Sequence, residues 1–377
     1  MNPVYLVAAR RTPVAPVNGA FKTLEVSDLA VPVIQALMTD TGLNPGQIDQ
    51  LILGNALYGG GNPARLVALA AGLPESVPAL TLDTQCCSGL DALRLGAQAI
   101  ASGQADAILA GGVESTSRRA LRAHRPINRD AAPEYYERPA FTPWPDRDPD
   151  MADSAARLAH EHGIGLDPQN TWAIDSHAKA LAARERVSHE CVPLAGLSAD
   201  AATRPLSERL ANRTPKVAEW QGAAINVAGT ALQADAAAVC LLVSEAMLAR
   251  MPAGTRAMRW VADVSGGGPA DSPPWAIVPV VQRLFERNGL NADHFHRIEL
   301  MEAYAVQAIV NAHQLGLPLD KLNQGGGALA RGHPIGASGA ILAVRAYHEM
   351  ASAPKGSLAL AAIAAAGGLA SAVVLEA

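Results

Sequence analysis

The chain has 377 residues, of which 49% are hydrophobic and 17% are charged. Because single hydrophobic cores stop growing at roughly 250–300 residues, this length predicts more than one lobe. A net charge of −5 and a pI of about 6.1 provide no basic field that would recruit nucleic acid. The composition therefore disfavours the nucleic-acid-binding proteins and leaves the enzymes open.

The number and spacing of the cysteines bear on the cellular compartment of the protein and on metal binding. Four cysteines are too few for a disulfide framework, and neither CxxC nor a Cys/His cluster with zinc spacing occurs. We therefore expect no metal site and a reducing, cytoplasmic environment.

At the N-terminus, the first apolar run precedes the arginines, which is the reverse of the order in a secretory signal. An uncharged stretch at residues 358–375 contains Gly367-Gly368, which predicts two buried strands around a turn and no membrane span.

Apolar patterning predicts alternating strands and helices along the first part of the chain. Buried strands are expected at residues 4–9 and 51–55, and helices at residues 25–41 and 63–71. The three glycines at 59–61 lack the spacing of a dinucleotide-binding loop, so they predict a packing turn rather than a phosphate cradle.

Two later stretches share one layout. Cys86 leads into a predicted helix at 91–101, a strand at 105–110 and a pair of glycines. His333 leads into a predicted helix at 337–350, a strand at 357–363 and a second pair of glycines. This repetition predicts a duplicated βαβ architecture with parallel strands and right-handed crossovers, with the active site between the two halves.

The segment between the two repeats differs in character. Residues 115–150 hold seven arginines, six prolines and six acidic residues without clear periodicity, which indicates an excursion that covers a site or an oligomer interface. Helices are predicted next at 151–162 and 168–187, and regular structure returns at 224–247. We therefore divide the chain into an N-terminal domain, residues 1–248 with an insertion at about 116–220, and a C-terminal domain, residues 249–377.

Cys86 and His333 are the residues with the clearest chemical potential. A thiol is a strong nucleophile only as the thiolate, and a position just before a helix is expected to lower its pKa. A histidine that precedes a proline at a helix start can activate such a thiol. Taken alone, Cys86 and Cys87 could equally be small buried hydrophobes, and a lone histidine is more often a satisfied core residue.

The glycine-rich segment around His333, residues 323–340, resembles that of the thiolase family, coenzyme-A-dependent enzymes that make or cleave 3-ketoacyl-CoA. The resemblance covers residues 8–376, and its other landmarks are Ala8-Ala9-Arg10-Arg11-Thr12-Pro13, Asn55-Ala56-Leu57, Asn62-Pro63-Ala64-Arg65, Gly111-Gly112-Val113-Glu114-Ser115 and Ser176-His177-Ala178-Lys179-Ala180. It implies a duplicated five-layered α/β/α/β/α fold with an inserted loop region. It also implies an acyl-CoA substrate without a resident cofactor, a homodimer or homotetramer, and a role in fatty acid metabolism.

The resemblance also assigns roles to individual residues. It implies that Cys86 accepts the acyl group, that His333 activates it, and that the backbone N–H groups of Cys86 and Ala366 form an oxyanion hole. Backbone donors need no particular side chain, so alanine in place of glycine at position 366 is compatible with that role. Arg204 corresponds to a basic residue beside the adenine of coenzyme A, although a solvated arginine is an equally good interpretation.

Several family positions are substituted. The family's Asn-Glu-Ala-Phe-Ala motif reads Met301-Glu302-Ala303-Tyr304-Ala305, and methionine cannot hold the water that the asparagine holds. The second thiol, which exchanges the α-proton during carbon–carbon chemistry, is replaced by Ala364. The coenzyme-A segment reads Ala228-Gly229-Thr230-Ala231-Leu232 and lacks a serine, and Asp150-Met151 replaces a His-Met pair.

Three functional hypotheses follow. The first is a thiolase-like acyltransferase that forms an acyl-thioester on Cys86 but has a weak or altered Claisen step. The second is an ordinary thiolase in which another group, Cys87 or Glu302, serves as acid and base. The third is a non-catalytic subunit that lends its fold to a complex with an active thiolase or a small accessory protein.

Overall fold

A computed structural model describes residues 2–128 and 130–377. Its strands are β1 (Val4–Arg11), β2 (Ala15–Pro16), β3 (Gln50–Gly54), β4 (Ala79–Leu82), β5 (Ala107–Ser115), β6 (Ala123–His124), β7 (Glu134–Tyr135), β8 (Lys216–Trp220), β9 (Ala223–Asn226), β10 (Ala234–Ser244), β11 (Met258–Gly267), β12 (Phe295–Leu300), β13 (Leu358–Ala365) and β14 (Leu369–Glu376). Its helices are α1 (Val26–Thr41), α2 (Pro63–Ala70), α3 (Ser88–Ala101), α4 (Met151–Glu161), α5 (Leu166–Ala182), α6 (Arg184–Ser188), α7 (Glu208–Ala211), α8 (Glu245–Leu248), α9 (Ile277–Asn288), α10 (Ala305–Gln314), α11 (Ala328–Arg331) and α12 (Ile335–Glu349).

Ten strands form one sheet that consists of two halves. Strands β1, β10, β5, β3 and β4 make the first half together with the short β2, which pairs with β10, and β11, β14, β13 and β12 make the second. A short antiparallel pairing of Tyr5 with Arg259 and of Leu6 with Met258 joins them. Helices α3 and α12 pack between the halves, while α1 and α2 cover the first half and α9 covers the outer face of the second. This arrangement confirms the predicted five-layered α/β fold.

The expected parallel strands occur in each half of the sheet, but they are combined with antiparallel ones. Strand β3 pairs in parallel with β4 and β5, and β12 pairs in parallel with β13. Strand β10 is antiparallel to both of its neighbours β1 and β5, and β14 is antiparallel to β11 and β13. The returning strands β10 and β14 reverse direction because a tight turn or a long insertion, rather than a crossover helix, leads into them.

Strands in the middle of the sheet are buried on both faces. Every residue of β5 and of β10 is buried, and both strands consist mainly of alanine, glycine, valine and leucine. Such sequences read as continuous apolar runs because helices cover each face of the sheet. Small side chains let those helices approach closely, which explains why a chain with 4% aromatic residues still has a large core.

The two central helices cross through glycines. A Cβ atom at Gly89 of α3 would lie 2.7 Å from the backbone nitrogen of Ala340, and one at Gly339 of α12 would lie 2.6 Å from the backbone nitrogen of Leu90. Neither position can therefore carry a side chain. This close crossing brings together the N-terminal ends of α3 and α12, and hence the two segments that carry Cys86 and His333.

The last two strands form a hairpin. Strands β13 and β14 pair from Leu358 with Glu376 to Ala365 with Leu369. Gly367 and Gly368 make the turn with φ angles of +74° and +76°, which only glycine adopts readily. The prediction of two buried strands is confirmed. No helix within residues 2–128 and 130–377 has the length and apolar character needed to cross a lipid bilayer.

The inserted region contains more regular structure than its composition indicates. It holds helices α4 to α7 as well as the small hairpin of β6 and β7. Arg138 and the backbone N–H of Phe141 both bind the carboxylate of Asp148. The carbonyl of Phe141 packs against the turn at Gly367, so this part of the inserted region covers the end of β13.

Candidate active site

A strained turn presents Cys86. Gln85 has a φ angle of +55°, and residues Gln85–Cys87 form a 3-10 turn that runs directly into α3. The hydroxyl of Ser88 holds this turn, because it donates to the carbonyl of Gln85 at 2.6 Å and accepts from the N–H of Thr84 at 2.9 Å. Positive φ at a non-glycine residue costs energy and often marks a functional site.

The structure brings His333 onto this thiol. The Nε2 atom of His333 lies 3.2 Å from the Sγ atom of Cys86, across 247 residues of sequence. The backbone N–H of His333 donates to the carbonyl of Leu232 at 2.7 Å, and Pro334 is the N-cap of α12. The pair proposed from sequence is therefore in hydrogen-bonding contact.

A serine determines which imidazole nitrogen can accept a proton. The Oγ atom of Ser338 lies 2.6 Å from Nδ1 of His333, and its hydroxyl donates to the carbonyl of Pro334 at 2.9 Å. Because a hydroxyl has only one proton, its oxygen must accept the Nδ1–H bond. This network leaves Nε2 unprotonated and pointing at the thiol of Cys86, as a general base requires.

Burial overrides the expected effect of the helix on Cys86. It raises the pKa of the thiol to about 12, although hydrogen bonds from the N–H groups of Cys86 and Ala366 act in the opposite direction. Burial also lowers the pKa of His333 to about 4. The expectation that the helix start lowers the pKa of Cys86 was therefore wrong, since burial penalises the charged forms of both groups. At neutral pH the pair is a neutral thiol beside a neutral imidazole.

Two backbone donors converge on the sulfur. The N–H groups of Cys86 and Ala366 are close enough to Sγ to favour its anionic form, although burial has the larger effect on the pKa of the thiol. Ala366 begins the 3-10 turn Ala366–Gly368 that connects β13 to β14. An anionic oxygen on a carbon bonded to Sγ would lie next to these donors, which is the arrangement that stabilises a tetrahedral intermediate.

Glu114 holds the backbone segment that follows His333 and was not recognised from the sequence as a site residue. Its buried carboxylate accepts from the N–H of Gly336 at 2.8 Å, from the N–H of Ala56 at 3.1 Å and from Nδ2 of Asn55 at 2.9 Å. Burial raises the pKa of Glu114 to about 7. It joins the start of α12 to the loop after β3. The sequence did contain a sign of this role, because Glu114 is the one acidic residue in the otherwise uncharged, buried strand β5.

The two substituted positions, Met301 and Ala364, offer no acid or base chemistry. Met301 is 1% exposed and belongs to the central apolar cluster that also contains Cys87 and Ile363. Ala364 lies half-buried near the end of β13, two residues before Ala366. A thioether and a methyl group neither donate a strong hydrogen bond nor exchange a proton at neutral pH.

The alternative acid/base candidates have other roles. Glu302 accepts hydrogen bonds from Nε1 of Trp172 at 3.1 Å, Oγ of Ser176 at 2.7 Å and Nδ2 of Asn323 at 2.8 Å. Its carboxylate thus ties α5 to the segment before α11. Cys87 is fully buried, and its Sγ atom contacts the carbonyl of Ile363 at 3.6 Å. Both groups are engaged within the protein rather than directed at the thiol of Cys86.

Arg204 lies apart from the Cys86–His333 pair. Its side chain is exposed, and its backbone N–H donates to Nδ1 of His177 at 3.4 Å. Burial and the charge of Arg204 lower the pKa of His177 to about 4. The role of Arg204 in binding coenzyme A therefore remains a prediction.

The protonation state of the pair can be measured by alkylation. Iodoacetamide reacts with thiolates, so labelling of Cys86 is expected to rise about tenfold per pH unit from about pH 7 to 10 without levelling off. An ordinary thiol with a pKa near 8.5 would level off above about pH 9. A labelling rate that is already maximal at neutral pH would show a resting thiolate and contradict the proposed neutral pair. A Cys86→Ala variant identifies the labelled residue.

Comparisons with known proteins agree along the whole chain. The family model described as the thiolase N-terminal domain matches residues 4–246, and that of the thiolase C-terminal domain matches residues 257–377. The Bacillus subtilis (strain 168) protein "Putative acetyl-CoA C-acetyltransferase YhfS" is 36% identical over 382 residues, covering 100% of this chain and 99% of the relative. The Staphylococcus aureus (strain MRSA252) protein "Putative acetyl-CoA C-acetyltransferase VraB" is 32% identical over 358 residues, covering 92% of this chain and 93% of the relative.

Solved structures show the same fold. The human mitochondrial 3-ketoacyl-CoA thiolase, in complex with CoA, superposes with a TM-score of 0.89 at 25% identity and covers 100% of this chain and 98% of that one. The Bacillus anthracis acetyl-CoA acetyltransferase superposes with a TM-score of 0.90 at 28% identity, and the match covers 100% of this chain and 99% of that one. Family models that span most of the chain, together with relatives above 30% identity, show that this protein belongs to the thiolase family.

Proposed function

We propose that this protein is an acyl-CoA acyltransferase that carries the acyl group as a thioester on Cys86, with His333 as the base. One observation supports this most strongly: the 3.2 Å contact between Sγ and Nε2, in which Ser338 fixes the imidazole tautomer. Membership of the thiolase family and the acetyltransferase relatives support the class of reaction.

Acyl loading needs only the groups that surround Cys86. Nε2 of His333 takes the thiol proton while Sγ attacks the carbonyl carbon of the thioester, and the resulting oxyanion accepts from the N–H groups of Cys86 and Ala366. The carbon–sulfur bond to coenzyme A then breaks. The imidazolium returns the proton to the departing thiolate, which leaves an acyl group on Cys86 and free coenzyme A.

Making or breaking a carbon–carbon bond requires an acid/base group, and the substituted positions Met301 and Ala364 do not supply one. A Claisen condensation removes an α-proton of high pKa, and the reverse reaction must protonate an enolate. Loss of one positioned acid/base group costs roughly 10²–10⁴-fold in rate. With alanine at position 364 and methionine at position 301, we propose that acyl loading is fast and that the Claisen step is slow.

Intact-mass spectrometry after incubation with a panel of acyl-CoAs tests the proposal. The expected result is a mass increase equal to the acyl group, which tracks chain length and maps to the peptide that contains Cys86. The panel also reports which chain lengths the site accepts. If no acyl-CoA of any length produces an adduct on Cys86, the proposed acyl-enzyme is excluded.

We propose in addition that two copies of the chain associate through β4. This strand ends the sheet, and Leu80 on β4 and Leu66 and Leu69 on α2 are each more than 40% exposed. An exposed strand edge beside apolar side chains favours pairing with another copy. Sedimentation velocity is expected to give a dimer or a multiple of it, and a monomer at micromolar concentration would contradict the proposal.

A further inference from the structure

The contacts that orient the imidazole of His333 lie within residues 333–338. The Oγ atom of Ser338 lies 2.6 Å from Nδ1 of His333, and the hydroxyl and the backbone N–H of Ser338 both donate to the carbonyl of Pro334 at 2.9 Å. These bonds orient the ring within its own segment but do not place that segment relative to Cys86. The distance of 3.2 Å between Nε2 and Sγ therefore depends on what holds residues 333–338 to the rest of the fold.

This segment is held on both sides. The backbone N–H of His333 donates to the carbonyl of Leu232 at 2.7 Å, and the N–H of Gly336 donates to the carboxylate of Glu114 at 2.8 Å. Gly336 lies in the first turn of α12, where N–H groups have no acceptor within the helix, and the N-cap Pro334 has no side-chain acceptor. Glu114 takes the place of a capping side chain, and its negative charge is favourable at a helix N-terminus.

The same carboxylate also binds the loop after β3. It accepts from the N–H of Ala56 at 3.1 Å, from the N–H of Leu57 at 3.2 Å and from Nδ2 of Asn55 at 2.9 Å. With Gly336, each carboxylate oxygen accepts two hydrogen bonds, and a protonated acid could not accept all four. Burial raises the pKa of Glu114 to about 7, while the backbone N–H groups act in the opposite direction. The ionised carboxylate therefore predominates at about pH 8.

The loop after β3 packs in turn against the helix that follows the reactive thiol. A Cβ atom at Gly54, the last residue of β3, would lie 2.4 Å from the carbonyl carbon of Ser88, the first residue of α3. A Cβ atom at Gly336 would lie 2.7 Å from the Cα atom of Asn55. The starts of α3 and α12 thus both contact the end of β3 and its loop through backbone atoms. Glu114 joins this loop to the start of α12, and so links the two elements that present the thiol and the base.

We propose that Glu114 is a positioning residue for acyl loading, whose carboxylate holds the imidazole of His333 at hydrogen-bonding distance from the thiol of Cys86. This inference rests on the proposed acyl-enzyme chemistry at Cys86. Proton transfer requires Nε2 and Sγ to stay in contact, and a misplacement of about 1 Å can cost about 10²-fold in rate. Glu114 itself makes and breaks no bond to the substrate.

Two substitutions at position 114 test this role in a graded way. Glu114→Met keeps an unbranched side chain and removes both oxygens, whereas Glu114→Gln keeps one oxygen as an acceptor. Loading of Cys86 from acetyl-CoA is followed by intact mass over time at pH 8. We expect Glu114→Met to lower the maximal loading rate about 10²-fold and Glu114→Gln about tenfold. The acetyl-CoA concentration that gives half-maximal loading is expected to stay within about threefold of the wild type.

A double-mutant cycle with His333→Ala separates positioning from a general loss of structure. If Glu114 acts through His333, Glu114→Met changes the residual loading rate of His333→Ala by less than about twofold, because the group it positions is already absent. A structural defect instead lowers loading by the same factor in both backgrounds. Asp49→Asn is the matched control, since Asp49 binds the N–H groups of Asp106 and Ala107 at the opposite end of β5. It is expected to leave loading unchanged.

The outcomes are distinguishable. Loading by Glu114→Met within about threefold of the wild type overturns the inference, and so does an equal loss in the presence and absence of His333. Should Glu114→Met fail to fold by circular dichroism, Glu114→Gln decides: loading within about twofold of the wild type, or an equal loss in both backgrounds, overturns the inference. If the wild type forms no adduct on Cys86, the proposed function fails as well, whereas normal wild-type loading that survives both substitutions removes only this inference.

Discussion

Replacing Cys86 with Ala is expected to lower acyl transfer by roughly 10⁴-fold or more, because no other group can take over as the nucleophile. The effect is large since the residue forms the covalent bond, and removal of a nucleophile usually costs as much as removal of the entire catalytic unit. Transfer of a radiolabelled or mass-tagged acyl group from acyl-CoA, measured at saturating substrate, checks the result. The variant should retain its fold, because Cys86 lies at the border of the core rather than within it.

Cys87→Ala is the matched control for this experiment. Its thiol is fully buried against the carbonyl of Ile363, so its removal should cost some stability and leave the acyl adduct in place. The pair of variants also tests the hypothesis of a non-catalytic subunit. Should a complex that contains this protein keep full activity with Cys86→Ala, the chemistry belongs to its partner. A large loss with Cys86→Ala but not with Cys87→Ala places the chemistry on this chain.

Introducing a thiol at position 364 is expected to raise the rate of acetoacetyl-CoA cleavage about 10²-fold. Ala364 is half-buried two residues before Ala366, whose N–H favours the anionic form of the Cys86 thiol. A cysteine there would supply a proton donor beside the departing enolate. Formation of acetyl-CoA from acetoacetyl-CoA and coenzyme A, under steady-state conditions, is the measurement.

Ala365→Cys controls for the mere addition of a thiol. Ala365 is 1% exposed and belongs to the central apolar cluster, so a thiol added there is buried. This variant is expected to cleave no faster than the wild type. A gain for both variants, or for neither, contradicts the idea that the residue at position 364 limits carbon–carbon chemistry. The loading rate of Cys86 should be similar in all three proteins, since loading does not use that position.

Local patterns in the sequence were sufficient for most of the strands and helices, and together with the family resemblance they singled out Cys86 and His333. Cys86 and His333 each precede a helix in a glycine-rich context, and this local signal does not depend on the rest of the chain. Apolar runs placed β1 and the hairpin of β13 and β14 correctly, since buried strands need continuous hydrophobic residues wherever they lie in a sheet. The antiparallel direction of β10 and β14 was not predicted, because strand direction depends on the path of the connections and not on the strand's own residues.

Only the tertiary structure decided the electrostatics and the supporting contacts of the site. Sequence position alone indicated a thiol activated by a helix N-terminus, but burial raises the pKa of Cys86 because the desolvation cost exceeds the stabilisation from nearby N–H groups. Ser338 contacts His333, and Glu114 binds the N–H of Gly336 at the start of α12 from another part of the chain, so their roles depend on hydrogen bonds that no local pattern encodes. The sequence by itself determined the reactive groups, while packing determined their protonation and their surroundings.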